Sequence, residues 1–262
     1  MKLLFLGDIF GRPGRKVVKN LVPELRKEYK IDLVIANCEN LASGRGITSR
    51  TAEEMFRSGV DLFTGGNHLW DKRESYDYIR NCKKIVRPAN YPPSALGQEK
   101  LIHTCENGIK IGVFNLVGQA FMSNSDNPFL KADALIEELS AEVKIIFVDF
   151  HAESTAEKRS MGFYLDGRVS ALIGTHTHIQ TADEEILPQG AAYITDAGMT
   201  GAHDSVIGVK KEIILDKIKT GMPNRYEASD KGLQINGVII EIDNDTGKSL
   251  RIERLRRKYN DT

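Results

Sequence analysis

The sequence has few cysteines, no net charge and no long apolar run, and each absence argues against a class of protein. Its three cysteines, Cys38, Cys82 and Cys105, are odd in number and form no CxxC pair. We expect them to be reduced thiols of a cytoplasmic protein rather than a disulfide framework. Lysine and arginine together number 36, as do aspartate and glutamate, so the formal net charge is zero. This balance argues against a general electrostatic grip on nucleic acid or an anionic membrane, although it allows a local basic pocket.

No stretch of the sequence is apolar for long enough to cross a bilayer. The first six residues are largely apolar, but Gly7-Asp8 follows too early for the apolar region of a signal peptide. We interpret them as a buried strand and expect a soluble, cytoplasmic protein. The sequence shows no repeat or convincing linker, and its 262 residues suit one domain over positions 1–262.

Apolar runs alternate with amphipathic segments along most of the chain. Predicted strands cover 2–6, 33–36, 60–63, 109–116 and 144–148, with closing antiparallel strands at 237–243 and 249–256. One predicted helix begins at Pro13, and others cover 48–58, 73–81, 132–139 and 211–219. Thr48 is a candidate N-cap, and Ser154-Thr155-Ala156-Glu157 has capping-box spacing for a further helix. Strands and helices that alternate over short connections are typical of an α/β protein with parallel strands.

A pair of histidines follows the apolar run 169–173, in Gly174-Thr175-His176-Thr177-His178. Side chains at positions i and i+2 of an extended chain point the same way, so both imidazoles can face one cavity. Two histidines aimed together at a strand end form a natural half of a metal site. Alone, the pair could equally be two ordinary loop histidines.

Other oxygen and nitrogen donors also lie at the carboxyl ends of predicted strands. The full set is Asp8, Glu39, Asn40, Asn67, His68, His151, His176 and His178. Each has an ordinary explanation when taken alone, such as a turn residue for Asp8 or a glycine–asparagine turn for Asn67. Together, however, five strand ends at one edge of a sheet supply more donors than a single metal ion needs. The set therefore favours two ions that share a bridging carboxylate.

The same residues resemble a known family. Gly7-Asp8, Gly66-Asn67-His68, His151 and Gly174-Thr175-His176-Thr177-His178, in that order, are similar to the motif series of the calcineurin-like metallophosphoesterases. The match is closer to the YmdB-type phosphodiesterases, through Gly7-Asp8-Ile9-Phe10-Gly11, Cys38-Glu39-Asn40, Asn67-His68-Leu69-Trp70-Asp71, Asp149-Phe150-His151-Ala152-Glu153 and Ile194-Thr195-Asp196-Ala197-Gly198-Met199-Thr200-Gly201. The resemblance covers nearly the whole chain and implies a four-layer α/β/β/α sandwich with a dimetal site at one edge.

The resemblance also implies a distribution of ligands. One metal would take Asp8, Asn40 and His178, the other would take Asn67, His151 and His176, and Glu39 would bridge them. The sequence departs from the broad superfamily twice, because Asp8-Ile9-Phe10 replaces its D-x-H motif and Glu39 replaces its bridging aspartate. The oxygen-rich first set beside a nitrogen-richer second set favours iron or manganese over zinc or magnesium.

Two cations about 3.5–4 Å apart would bind phosphate oxygens and acidify a bridging water that attacks phosphorus. We interpret His68, which follows the ligand Asn67, as the general acid that protonates the leaving alkoxide. Its alternative role is a hydrogen-bond donor that supports a ligand. His203, near Gly201, is a further candidate for the lining of the pocket.

We expect a metal-dependent phosphodiesterase that acts on a small phosphodiester, and the resemblance to the YmdB-type enzymes implies a 2′,3′-cyclic nucleotide in particular, or an RNA end. Two alternatives stay open: a phosphomonoesterase or nucleotidase on the same fold, and a regulatory metal-binding protein with little turnover. An amidohydrolase also uses paired histidines, but there the pair opens the chain, whereas here it lies in the last third. Association with a membrane is not expected, and a homo-oligomer is left open.

Overall fold

A computed structural model describes residues 1–122 and 125–259, which form two β-sheets with helices beside them. The helices are α1 (Gly11–Tyr29), α2 (Ser49–Arg57), α3 (Tyr76–Asn81, preceded by a 3₁₀ turn at Arg73–Ser75), α4 (Pro128–Ser140), α5 (Thr155–Leu165) and α6 (Lys211–Thr220). The strands are β1 (Lys2–Leu6), β2 (Asp8–Ile9), β3 (Leu33–Asn37), β4 (Leu62–Thr64), β5 (Ile85–Val86), β6 (Lys100–Thr104), β7 (Lys110–Val117), β8 (Ile145–His151), β9 (Ala171–Thr175), β10 (Glu185–Ile186), β11 (Ala192–Ile194), β12 (Met199–Ala202), β13 (Leu233–Ile242) and β14 (Ser249–Lys258).

The first sheet has the order β2-β12-β13-β1-β3-β4-β5, and β14 pairs with β13. Strands β1, β3, β4 and β5 run parallel, as the alternation of strands and helices predicts. The closing strands β13 and β14 are antiparallel, which confirms that part of the prediction. Because β1, β3 and β4 are parallel, the residues that follow them emerge at one edge of the sheet.

The second sheet has the order β10-β11-β9-β8-β7-β6. Its central strands β7, β8, β9 and β11 are parallel, whereas β6 and β10 join the two edges antiparallel. The carboxyl ends of β8 and β9 carry His151 and the loop that holds His176 and His178.

The buried side chains establish the four layers, because successive residues of a strand point to opposite faces. On β1, Leu4 and Leu6 join a cluster with the apolar face of α1, whereas Leu3 and Phe5 join a cluster with the second sheet. The Phe5 and Phe147 rings meet between the sheets with centroids 5.0 Å apart. A third cluster packs the outer face of the second sheet against α4 and α5. The chain is therefore an α/β/β/α sandwich, as the resemblance implies.

Several predicted boundaries need correction. The helix expected to open at Pro13 begins at Gly11, and β4 begins at Leu62 because the Val60 amide still closes α2 by donating to Met55 O. Strand β8 continues to His151 because β7 and β9 pair with it along that length. In contrast, Thr48 caps α2 as predicted, in a reciprocal pair of bonds with Thr51.

Residues 203–232, which we name the cap, connect β12 to β13 and contain α6. No residue of α6 is buried, so this helix does not belong to the main core. The cap contacts the sandwich through Val209, which packs with Phe10 and Met199 in a small apolar cluster. Phe10 follows β2 directly, so the cap is held beside the strand ends. Within the described residues, every helix is too short or too polar to cross a membrane.

Candidate metal centre

The donors predicted from the sequence converge where the two sheets end. Asp8 lies on β2, Glu39 and Asn40 follow β3, and Asn67 and His68 follow β4. His151 ends β8, and His176 and His178 follow β9. The first sheet therefore supplies the carboxylates and amides, and the second sheet supplies three imidazoles.

His151 lies at the centre of one group of donors. Its Nε2 atom is 3.0 Å from Asn67 Oδ1, 3.2 Å from Glu39 Oε1 and 3.0 Å from His176 Nδ1. The donor atoms of Glu39, His151 and His176 all lie within 4.8 Å of one another. Such a set of oxygen and imidazole donors can surround one metal ion.

Asp8, Asn40 and His178 form the second group. His178 Nε2 lies 3.8 Å from Asp8 Oδ1. Asp8 Oδ1 and Asn40 Oδ1 are buried and have no hydrogen-bond partner among the described residues. The Asn40 amide is oriented because its Nδ2 donates to Gly44 O at 3.0 Å. Since a buried oxygen without a partner is costly, these two atoms fit ligands of a cation.

Both carboxylate oxygens of Glu39 have partners in the protein. Oε1 faces His151, and Oε2 accepts the backbone N–H of His68 at 2.8 Å. The carboxylate is 1 % exposed, and a Cβ on Gly66 would lie 2.2 Å from Oε2. Only glycine at position 66 therefore leaves room for this carboxylate.

Glu39 and His151 each stabilise the charged form of the other. Burial alone would raise the pKa of Glu39, but His151 and His68 together outweigh burial and lower the pKa to about 2. Burial opposes the charged form of His151, yet Glu39 raises the pKa of that imidazole to about 9. For His176, burial and the neighbouring His151 lower the pKa to about 3. The metal-free chain thus keeps a positive charge on His151, and metal binding would displace that proton.

Asp149 orients His151 from behind. It accepts a hydrogen bond from the Thr175 hydroxyl at 2.6 Å, and that hydroxyl oxygen lies 2.9 Å from His151 Nδ1. Because the Thr175 hydroxyl donates to Asp149, its oxygen accepts the proton of His151 Nδ1, and Nε2 is the nitrogen that faces the donors. Burial raises the pKa of Asp149 to about 6, although Thr175, Thr64 and His151 favour its charged form.

Asp196 and Lys158 hold the loop between the two paired histidines. Both side chains are fully buried, and Lys158 Nζ lies 2.8 Å from Asp196 Oδ2. The same oxygen accepts the Thr177 backbone N–H at 3.0 Å and its hydroxyl at 2.7 Å. His176 and His178 on either side have positive φ angles of 98° and 66°, a conformation that needs such support.

His178 has its ring orientation fixed in a similar way. Its Nδ1 lies 3.1 Å from Ile207 O in the cap, so Nδ1 carries the proton and Nε2 faces Asp8. The Phe10 ring meets the imidazole edge to face at a centroid distance of 5.7 Å. The cap thus takes part in building the site.

The donors open into a cleft of about 710 Å³. Glu39, Asn40, His176 and His178 line it, together with His68. His68 Nδ1 lies 2.9 Å from Asp71 Oδ2, and its side chain is partly exposed. This contact leaves His68 Nε2 as the nitrogen available to a bound molecule.

Sequence reasoning did not find every residue that shapes the site. It expected His203 near the pocket, but His203 Nε2 bonds Met199 O and its side chain lines a separate cavity. It quoted Asp149 and Asp196 inside family motifs without assigning them the supporting roles described above. Both aspartates lie near the carboxyl ends of buried strands, and this position could have indicated a role at the site. No sequence pattern indicated that residues of the cap would line the cleft.

Comparisons with known proteins show the family of this chain. A family model described as "YmdB-like protein" matches residues 4–255. A Bacillus subtilis (strain 168) protein named 2′,3′-cyclic-nucleotide 2′-phosphodiesterase is 46 % identical over 255 residues, which cover 97 % of this chain and 96 % of that protein.

Two solved structures share the fold. A hypothetical protein from Thermus thermophilus superposes with a TM-score of 0.93 at 36 % identity, over 99 % of this chain and 100 % of that one. A protein described as a novel phosphatase from Mycoplasma pneumoniae gives a TM-score of 0.93 at 37 % identity, over 98 % of this chain and 93 % of that one. With the family model matched over nearly its whole length, the chain belongs to the YmdB-like family.

Proposed function

We propose that this chain is a dinuclear metal-dependent phosphodiesterase that hydrolyses 2′,3′-cyclic nucleotides. The observation that carries the proposal is the pair of buried oxygens without partners, Asp8 Oδ1 and Asn40 Oδ1, beside a second donor group around His151. The name of the Bacillus subtilis relative supplies the class of substrate.

In this proposal Asp8, Asn40 and His178 hold one ion, Asn67, His151 and His176 hold the other, and Glu39 bridges them. The mixed oxygen and imidazole donors suit iron or manganese better than zinc or magnesium. When bound, the ions supply positive charge for the phosphate oxygens and acidify the attacking water. The burial of Asp8, Glu39 and His151 keeps bulk water away from these donors.

His68 is the general acid of the proposal. Its Nδ1 is engaged by the Asp71 carboxylate, so Nε2 is the atom that delivers a proton into the cleft. For a 2′,3′-cyclic nucleotide opened at the 2′ position, the acceptor is the departing ribose O2′. General acid catalysis by a positioned side chain contributes roughly 10²–10⁴-fold to a rate.

A phosphomonoesterase is the second candidate, because the Mycoplasma pneumoniae structure is described as a phosphatase. Both activities would use the same ligands, so a comparison of a phosphomonoester with a phosphodiester as substrate decides between them. A regulatory metal-binding protein remains the alternative without turnover. We further expect a cytoplasmic enzyme, with RNA ends as a second kind of substrate and a homo-oligomer left open.

The test is an assay of manganese- or iron-loaded protein on 2′,3′-cyclic AMP and on 3′-AMP. The phosphodiesterase proposal expects hydrolysis of the cyclic diester and little release of inorganic phosphate from the monoester. Preference for the monoester would establish the phosphatase instead. Turnover of neither, with metal bound, would support the regulatory alternative.

A further inference from the structure

The cap presents one aromatic ring to the cleft of the metal centre. Tyr226 lines the cleft and keeps 45 % of its surface exposed. The other aromatic residue in the lining, Phe10, is buried against His178 and the cap. Among the described residues that line the cleft, Tyr226 is therefore the aromatic side chain with a substantial exposed surface.

Two contacts from α6 fix the segment that carries this ring. Lys217 Nζ lies 2.5 Å from the Tyr226 hydroxyl, and Asp216 accepts a hydrogen bond from Asn224 Nδ2 at 2.8 Å. Lys217 Nζ also lies 4.9 Å from the ring centroid, near the end of the ring that carries the hydroxyl. The exposed helix α6 thus supports Tyr226, which remains 45 % exposed.

The position of Tyr226 relative to the donors follows from the chain. Ala228, two residues later, also lines the cleft, and its Cβ is 3.8 Å from where a Cβ on Gly11 would lie. The Gly11 amide in turn donates to Asn40 O at 2.9 Å, beside the candidate ligand Asn40. Two residues span at most about 7 Å of chain, so the Tyr226 segment lies beside the Ala228 contact and lines the same cleft as Asn40.

We propose that the Tyr226 ring is the platform on which the base of the nucleotide substrate stacks. The inference rests on the proposed function, because it requires the phosphate of the substrate to lie at the proposed metal ligands in the same cleft. Bases stack on aromatic side chains with little dependence on sequence, since every base has a π face. Tyr226 is then a specificity-determining residue, which separates a nucleotide from a phosphodiester that has no base.

The test compares two substrates and four proteins. The substrates are 2′,3′-cyclic AMP and the base-free analogue 1-O-methylribose 2′,3′-cyclic phosphate, whose scissile group is the same. The proteins are the metal-loaded wild type, Tyr226→Ala, Tyr226→Phe and Tyr164→Ala. Tyr164 is the matched control, because it is similarly exposed at 42 % but lies on α5, where it bonds Asp133.

Loss of the ring should lower kcat/KM on the nucleotide roughly 5–100-fold more than on the base-free analogue, mainly through KM. Tyr226→Phe keeps the ring and should stay close to wild type on both substrates, as should Tyr164→Ala. Equal losses of Tyr226→Ala on the two substrates, or a phenylalanine variant as impaired as the alanine variant, would overturn the platform.

A binding arm separates this inference from the proposed function. If metal-loaded wild type turned over neither substrate, the proposed function would fail, and calorimetric binding of 3′-AMP and ribose 3-phosphate would still test Tyr226. The platform expects Tyr226→Ala to weaken 3′-AMP selectively. Unchanged binding of 3′-AMP to that variant would overturn it.

Discussion

At the scale of single residues, Glu39 is the side chain on which both halves of the proposed centre depend. It is buried, it contacts His151 with one oxygen, and the His68 amide holds the other. With a pKa lowered to about 2, chiefly by His151, its carboxylate is charged at neutral pH. Replacement by glutamine, which has nearly the same shape without the charge, therefore tests the role of the charge at this position most directly.

We predict that Glu39→Gln abolishes turnover and weakens both metal sites, because a bridging carboxylate neutralises charge on two cations at once. Elemental analysis and the phosphodiester assay on the same preparation would measure this. Loss of one ion with activity retained would show instead that Glu39 is a ligand of a single ion.

For His68, we predict that replacement by alanine keeps both metals and the fold but lowers the rate roughly 10²–10⁴-fold on substrates with poor leaving groups. A nitrophenyl phosphodiester needs little protonation of its leaving group, so the same variant should be much less impaired on it.

Asp71→Asn is a useful companion to this variant, because it changes the partner of Nδ1 and leaves the imidazole in place. It should show a smaller loss with the same dependence on leaving group. An equal loss of His68→Ala on both substrates, or loss of an ion, would reassign His68 to positioning or ligation.

The sequence indicated which residues form the candidate site, but it could not indicate how the histidine rings are oriented. The pattern of donors at strand ends predicted that Asp8, Glu39 and the histidines would meet. Which nitrogen of His151 faces the donors depends on Thr175 and Asp149, 24 and 2 residues away along the chain. These hydrogen bonds among Asp149, Thr175 and His151 form only when β8 and β9 pair in the folded protein.

At the scale of elements, the buried Lys158–Asp196 pair joins α5 to the segment after β11 and fixes Thr177 between the paired histidines. We predict that Lys158→Met destabilises the protein by about 3–5 kcal/mol, since it leaves a buried carboxylate without its cation. Chemical denaturation of the metal-free protein would measure the change in the free energy of unfolding.

The double variant Lys158→Met/Asp196→Asn is the control for this pair. An asparagine keeps an acceptor for Thr177 without the charge, so part of the lost stability should return. A double variant less stable than the single one would show that the ion pair is not the source of the effect.

Capping residues could be predicted from the sequence where the hydrogen-bond partner lies in the same helical turn. Thr48 is the N-cap of α2, as expected, and its partner is Thr51. The same spacing at Ser154 and Glu157 gave only half of the expected box, because Glu157 instead accepts the backbone N–H groups of Gln119 and Ala120. A contact from a distant loop outweighed the local one, which no local pattern could predict.

At the scale of the whole molecule, the centre requires both sheets, since the first supplies carboxylates and amides and the second supplies imidazoles. We propose that residues 1–262 form a single domain, and we predict one cooperative unfolding transition that moves to higher temperature when metal is added. Calorimetry would measure it. Two transitions, one of them insensitive to metal, would contradict a single domain.

The family resemblance predicted the sandwich and the edge at which the site lies. It did not predict the cap over the cleft, although a helix at 211–219 was expected from the sequence. The position of α6 depends on Val209 packing with Phe10 and on the contact of His178 with Ile207 O, both of which join distant parts of the chain.

The central claim is that this chain holds two metal ions in one centre, and the metal content of the protein tests it most directly. Protein purified without chelator, loaded with manganese or iron and freed of excess metal by gel filtration, should contain close to two ions per chain by elemental analysis. One ion or none per chain after loading would contradict the dinuclear account.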